Sequence, residues 1–159
     1  MELSPQQILC QFLKEEGFPI VETDEHGEVV FRCEGKYYII HLHPDFPTRC
    51  ALALPAFWGL EDPEEAARAL TAANEVNLRC YGATVVCLSH TVTAFADMFV
   101  ANPAADLKAL FYPALKALQA AVHTFVSLML TGESAGSHAN GSSSVPAPGG
   151  NGAELGGYL

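Results

Sequence analysis

The first seventeen residues carry hydrophobic side chains at the spacing of an α-helix. Ser4 followed by Pro5 is typical of a helix cap and first helical position, and Gly17 ends the pattern. The apolar positions recur three and four residues apart and are Ile8, Leu9, Phe12 and Leu13. The pattern predicts an amphipathic helix that packs one face on a core.

From residue 18 the hydrophobic period changes to two, which is typical of strands. The alternation predicts strands at residues 18–23, 28–34 and 36–43, separated by the turn sequences DEHG and EG. A fourth strand, RCALAL, follows the loop PDFPT. Because short turns join neighbouring strands antiparallel, these four strands are expected to form a meander.

A second helix is predicted in the segment EDPEEAARALTAANEVN. Asp62 is its cap, Pro63 fills the first position, and Glu65 stands where a capping box has an acid. Two further strands, at residues 80–88 and 91–100, are expected to turn tightly at Ser89 and His90.

The last helix begins at Asn102 and Pro103, and Pro113 inside it is expected to kink or break it. Its apolar stripe consists of Leu107, Leu110, Phe111, Leu115, Leu118, Val122, Phe125 and Met129. From Gly132 onward the composition is dominated by Gly, Ser, Ala and Pro, which predicts a disordered tail.

The order helix, four strands, helix, two strands, helix predicts an α+β fold. Hairpin links imply an antiparallel sheet, and the three separate helices must then pack on it. Residues 1–131 are expected to form this domain, and residues 132–159 the tail.

Charge narrows the class of partner. Eighteen acidic and eight basic residues give a net charge of −10. Phosphate backbones repel such a surface, so a nucleic-acid partner is not expected.

Three further features indicate a cytoplasmic protein without a membrane partner. No apolar run reaches the roughly 18 residues of a membrane span. The N-terminal sequence MELSPQQILC has no basic leader and no long apolar region, so a signal peptide is not expected. Five cysteines, an odd number without a CxxC pair, are typical of reduced thiols.

The chain resembles the YbjN-like family of bacterial proteins, which shares its fold with type III secretion chaperones. The resemblance rests on the element order, the meander VETDEHGEVVFRCEGKYYIIHL, the segment LALPAFW and the helix end AANEVN, and it covers roughly residues 4 to 130. It implies an α+β domain, frequent dimers, and roles in protein binding or regulation without catalysis. The family offers no catalytic residues to carry over, and the glycine-rich tail and the five cysteines are not among its features.

His41 and His43 are the strongest candidates for chemistry. They lie on one face of a strand, roughly 6.5 to 7 Å apart, which can serve a metal that has a third ligand. With PDFPT as a five-residue loop, Cys50 pairs with Leu42 and so lies on the opposite face. The register through the EG turn places Glu28 opposite His41, which predicts a cross-strand acid–imidazole pair and no metal site.

Several other polar or reactive residues have structural interpretations. Trp58 is expected either to be exposed for binding or to plug the edge of the core. Asn74 and Asn77 are expected to make polar contacts to a neighbouring strand end or a helix end. Cys33 and Cys87 are expected to face the core, and Cys80 to be the most exposed thiol.

The same registers divide the sheet into two faces. The predicted core face consists of Phe18, Ile20, Val29, Phe31, Tyr38, Ile40, Leu42, Leu52, Leu54, Tyr81, Ala83, Val85, Cys87, Val92, Ala94 and Met98. The other face should be polar if it meets water, yet it also carries Val21, Tyr37 and the five residues predicted to bind a protein, which are Val30, Ile39, Val86, Phe95 and Phe99. If all helices lie on one side, these five residues form an exposed apolar patch that is typical of a partner surface.

The leading hypothesis is therefore a non-enzymatic, homodimeric protein-binding module, chaperone-like or regulatory, without cofactor or metal. It would hold a protein client by the apolar sheet face or by a free strand edge. The dimer contact stays open between the sheet face, a sheet edge and the second helix, on its Ala66–Ala73 face. The alternative is a small metal-dependent hydrolase that uses His41 and His43. A purely structural dimer is the third hypothesis.

Overall fold

The computed structural model describes residues 3–43, 45–46 and 48–132. Its elements are α1 (Pro5–Glu15), β1 (Ile20–Thr23), β2 (Glu28–Cys33), β3 (Lys36–Leu42), β4 (Arg49–Gly59), α2 (Pro63–Arg79), β5 (Thr84–Cys87), β6 (Thr91–Phe99) and α3 (Pro103–Thr131). The order confirms the predicted α+β class. The predicted tail, apart from Gly132, lies outside the described residues.

The strands form one antiparallel sheet in the order β1-β2-β3-β4-β6-β5. Strand β6 therefore lies between β4 and β5, and α2 connects β4 to β5 along the chain. All three helices pack against the face of the sheet that carries the buried residues of the strands. We call this the core face and the opposite side the open face.

Helix α1 begins as its sequence predicts. The Ser4 side chain accepts a hydrogen bond from the backbone N–H of Gln7, and the Gln7 side chain accepts one from the backbone N–H of Ser4. Leu9, Phe12 and Leu13 are its buried residues. Phe12 then packs edge-on against Phe111 of α3, with the ring centroids 5.2 Å apart.

Strand β4 is longer than predicted. It continues to Gly59 through a register shift between Leu54 and Trp58. Ala56, inside this bulge, has a φ of 47°, and its N–H donates to the Thr93 hydroxyl at 3.2 Å. Pro55 lacks an N–H, so a bulge lets the strand pass it without leaving a ladder bond unmade.

Strand β5 is shorter than predicted, and the placement of Tyr81 on the core face is wrong. Helix α2 runs as far as Arg79, and Gly82, at a φ of 84°, turns the chain directly into β5 at Thr84. Tyr81 lies in this connection and is 90% exposed.

Helix α3 continues through Pro113, so the predicted break does not occur. Pro113 and Ala109, four residues earlier, both lie on the exposed side of the helix. The carbonyl that loses its helical partner can therefore bond to water. The predicted apolar stripe is confirmed, with Leu110 half-buried and its other members buried.

Helix α3 is also long and apolar enough to cross a membrane, judged by length and composition alone. Its most apolar window of 18 residues has a mean hydropathy of 1.3. The finding is weak evidence, because a core helix passes the same test, and the apolar stripe of α3 is part of the core.

The open face of the sheet

A row of apolar side chains crosses the middle of the open face. Each member lies directly opposite the next on the neighbouring strand, and each is half-buried. We call this the central row, and its members are Val30, Ile39, Ala53 and Phe95. Glu22 beyond Val30 and Thr84 beyond Phe95 give the row polar ends.

The alternation of the strands places the central row on this side. On β2, Val30 lies between the fully buried Val29 and Phe31, and on β3, Ile39 lies between the buried Tyr38 and Ile40. The two-residue turn between these strands sets their pairing. The predicted pairs across this turn are confirmed.

Phe99 and Val86 lie outside the central row. Asp97 stands between Phe95 and Phe99 on β6, and it accepts two hydrogen bonds from Arg49, at 2.9 and 3.2 Å. Phe99, 71% exposed, is thereby set apart at the corner where β4 begins. Val86 lies opposite Thr93, one position away from the row on the outermost strand. The five predicted residues do not form one continuous patch, and their role in binding stays a prediction.

The charges of the open face nearly cancel. Its strands carry three acids, Glu22, Glu28 and Asp97, and two arginines, Arg32 and Arg49. The excess of one acid on this face contrasts with the net charge of −10 for the whole chain. This face therefore repels an acidic partner less strongly than the net charge of the whole chain suggests.

The predicted pair of Glu28 and His41 is confirmed as a cross-strand contact. The two residues lie directly opposite each other, with the His41 Nδ1 atom 3.5 Å from the Glu28 carboxylate. This is an ion-pair distance, but Nδ1 forms no hydrogen bond to any residue that the structure describes and is itself buried. We therefore interpret the pair as a weak contact.

His43 is turned toward the following loop. Its Nδ1 atom accepts a hydrogen bond from the backbone N–H of Asp45, at 3.2 Å, and its ring packs against Phe46. The His41 and His43 rings stand nearly perpendicular with their centroids 5.9 Å apart. The two imidazoles are neighbours, but each has its own polar contact.

Cys50 is not available as a third ligand. It lies opposite Leu42, as predicted, and is buried on the core face. Burial raises the pKa of its thiol to about 12. Among the residues that the structure describes, no three His, Cys, Asp or Glu side chains are grouped so that they could hold a metal ion. The hydrolase hypothesis therefore has no complete site in this part of the chain.

Trp58 plugs the edge of the core. Its ring packs against Phe125 with centroids 6.0 Å apart, and its indole N–H donates to the Glu65 carboxylate at 3.0 Å. The same carboxylate accepts from the backbone N–H of Glu61 at 2.8 Å. Glu65 therefore joins β4 to α2. Its carboxylate accepts from the N–H of Glu61, whereas in a capping box it would accept from the N–H of Asp62, the N-cap residue.

The remaining thiols are half-buried. Cys33 and Cys87 pack against the core, as predicted. Cys80 was expected to be the most exposed, but it too packs against the core, with its sulfur 3.8 Å from the Thr124 hydroxyl.

An exposed apolar stripe on α2 was not predicted. Its large side chains are Leu70, Leu78 and Tyr81, which are 56%, 75% and 90% exposed. The leucines are eight residues apart, with Asn74 midway, and they lie away from the buried alanines of the helix. The sequence could have indicated this stripe, because Leu70 and Leu78 do not fit the helical spacing of the residues that α2 buries, which are Ala69, Ala72, Ala73 and Val76.

No protein-family model, no curated protein and no solved structure matches this chain. The resemblance to the YbjN-like family therefore remains a prediction. The geometry described above is what supports a function.

Proposed function

We propose that this chain is a non-enzymatic protein-binding module, chaperone-like or regulatory, that acts in the cytoplasm as a homodimer. The central row on the open face is the contact for a client protein. The observation that carries the proposal is the placement of all three helices on one face of the sheet, which leaves this apolar row without a covering layer in the part of the chain that the structure describes.

The dimensions of the open face suit a protein segment. Six strands about 4.8 Å apart give a face about 24 Å wide, which can hold a helix or a short hairpin laid across it. The central row would bury apolar side chains of the client, and the polar residues around it would fix the orientation.

The charge distribution favours clients with an apolar centre. The ion pair of Arg49 and Asp97 already satisfies two of the charges on the face. A strongly acidic client would be repelled by the net charge of the chain as a whole. We therefore expect a client segment that is apolar in the middle and neutral or basic at its rim.

The test compares two phenylalanines on the same strand. The chain with Phe95→Asp should lose its client, because a charge would replace the largest apolar side chain of the central row. The chain with Phe99→Asp should keep it, because Phe99 lies beyond the ion pair of Arg49 and Asp97. Capture from native cytosol, followed by quantitative mass spectrometry, measures both, and circular dichroism shows that each variant is folded.

A second variant covers the case in which Phe95→Asp does not fold. Ala53→Glu adds charge and bulk to the central row without removing a large side chain, so it should also abolish client capture. Clients that bind both row variants as well as the wild type would show that the binding surface lies elsewhere.

A further inference from the structure

The exposed side of α2 and the connection after it carry a stripe of five residues whose positions are spaced evenly about its middle. We call it the α2 stripe, and its members are Ala67, Leu70, Asn74, Leu78 and Tyr81. Spacings of three and four residues place the first four on one side of the helix, and Tyr81 follows two residues after the helix ends. All five are exposed.

The stripe is symmetric about Asn74. Leu70 and Leu78 lie four residues to either side of it, and Ala67 and Tyr81 lie seven residues to either side. If two copies of α2 run antiparallel about a twofold axis at Asn74, Leu70 meets the partner's Leu78. The two Asn74 amides can then bond to each other, and each Tyr81, in the connection just beyond the end of α2, comes to the level of the partner's Ala67.

The charged residues around the α2 stripe do not prevent two copies of the helix from pairing. The stripe contains no charge, although the chain as a whole carries −10. The neighbouring positions carry both signs, Arg68, Glu75 and Arg79, and Glu75 and Arg79 already form an ion pair along the helix. A second copy presents the same mixed surface, so like charges do not dominate the contact.

The size of the stripe sets the strength of the contact. Tyr81, which is 90% exposed, presents on the order of 200 Å² by itself. Two copies of the whole stripe would bury on the order of 1,000 Å², which is near the lower limit for a specific interface. The pairing should therefore depend on protein concentration.

We propose that the α2 stripe is the surface through which two copies of this chain pair, antiparallel and centred on Asn74. The inference rests on the proposed homodimer and assigns it to a surface separate from the central row. The open face of each copy then stays free for a client, and the dimer presents two client sites.

The test exploits the symmetry of the stripe. Leu78→Glu should weaken self-association about tenfold or more, because it places an unpaired carboxylate in the contact. The double variant with Leu70→Lys and Leu78→Glu should restore dimers, because each new lysine would face a glutamate of the partner. Sedimentation velocity over a wide range of protein concentration measures the mass of each variant.

Leu130→Asp is the matched control. Leu130 is 74% exposed on α3, outside the stripe, and its replacement should leave the dimer unchanged. A dimer that survives Leu78→Glu, a double variant that stays monomeric, or a wild type that is monomeric at every concentration would each overturn the inference.

The two proposals fail in different ways. If Phe95→Asp makes the chain monomeric and Leu78→Glu does not, the open face is the dimer contact and the inference about α2 is wrong. If Leu78→Glu makes the chain monomeric while neither row variant affects a client, the inference stands and the client surface is misplaced.

Discussion

The side chain of Asn77 pairs with the backbone of Val85 as a neighbouring strand would. Its carboxamide oxygen accepts from the Val85 N–H at 2.8 Å, and its amino group donates to the Val85 carbonyl at 3.0 Å. Val85 lies on β5, the last strand of the sheet, whose other side is paired with β6. Asn77 thus occupies part of an edge that would otherwise be free to pair with another chain.

Asn77→Ala is expected to lower the free energy of unfolding by about 1–3 kcal/mol, because both backbone groups of Val85 lose their partner. Asn77→Asp should also destabilise the fold, since a carboxylate can accept from the N–H but cannot donate to the carbonyl. Urea denaturation measures both.

Asn102→Ala is the control for this pair of variants. Asn102 caps α3 by position, but its side chain forms no cap hydrogen bond. Its replacement should change the stability little, and an equal loss in all three variants would contradict the role given to Asn77.

Glu65→Ala should expose the only tryptophan of the chain. The carboxylate of Glu65 accepts from Trp58 and from the backbone of Glu61, so its removal is expected to cost about 1–2 kcal/mol of stability. The fluorescence emission of Trp58 should shift to longer wavelength as water reaches the ring. Glu64→Ala, in the same turn of α2 but exposed, should change neither quantity.

The buried thiol of Cys50 is expected to make the folded chain less stable at alkaline pH. Burial raises the pKa of its thiol to about 12, above the value in an unfolded chain. Its contribution is present in full below about pH 8.5 and is lost as the pH rises toward 12, because only the unfolded chain then releases the proton.

Between about pH 8.5 and about pH 10, Cys50 should account for about 2 kcal/mol of lost stability. Urea denaturation of the wild type and of Cys50→Ala at both values isolates this part, because the other titrating groups are common to both chains. Equal losses of unfolding free energy in the two chains would show that burial does not raise the pKa of the Cys50 thiol.

The replacement of both His41 and His43 by alanine should leave the fold nearly intact. The contact of His41 with Glu28 is not a hydrogen bond, and the bond of His43 is to the adjacent loop, so a change within about 1 kcal/mol is expected. Thermal denaturation measures this change. Elemental analysis that found stoichiometric zinc in the wild type, and none in the variant, would contradict the structural interpretation.

The local registers of the sheet could be predicted from the sequence because short turns leave little freedom. The EG turn fixes Glu28 opposite His41, and the PDFPT loop fixes Leu42 opposite Cys50. Each register then decides the face of every residue in its strand. The two faces of the sheet, and hence the residues of the central row, follow from these turns.

The features that depend on long-range packing could not be predicted. The bulge at Ala56 carries β4 past Pro55, where the sequence indicates an end. The placement of β6 between β4 and β5 has no local signal. The division of the open face by the Arg49 and Asp97 pair requires this strand order, because the two residues lie on strands that are distant in sequence.

The position of β6 has a consequence for synthesis. The meander from β1 to β4 leaves the ribosome before α2, β5 and β6, so the side of β4 that pairs with β6 has no partner during that interval. The apolar core face of the meander also lacks α3 at that time. Nascent and truncated chains therefore expose an unpaired strand edge beside an apolar surface, the combination that recruits other chains. A fragment ending at Leu60 should aggregate where the full chain stays clear, which light scattering would show.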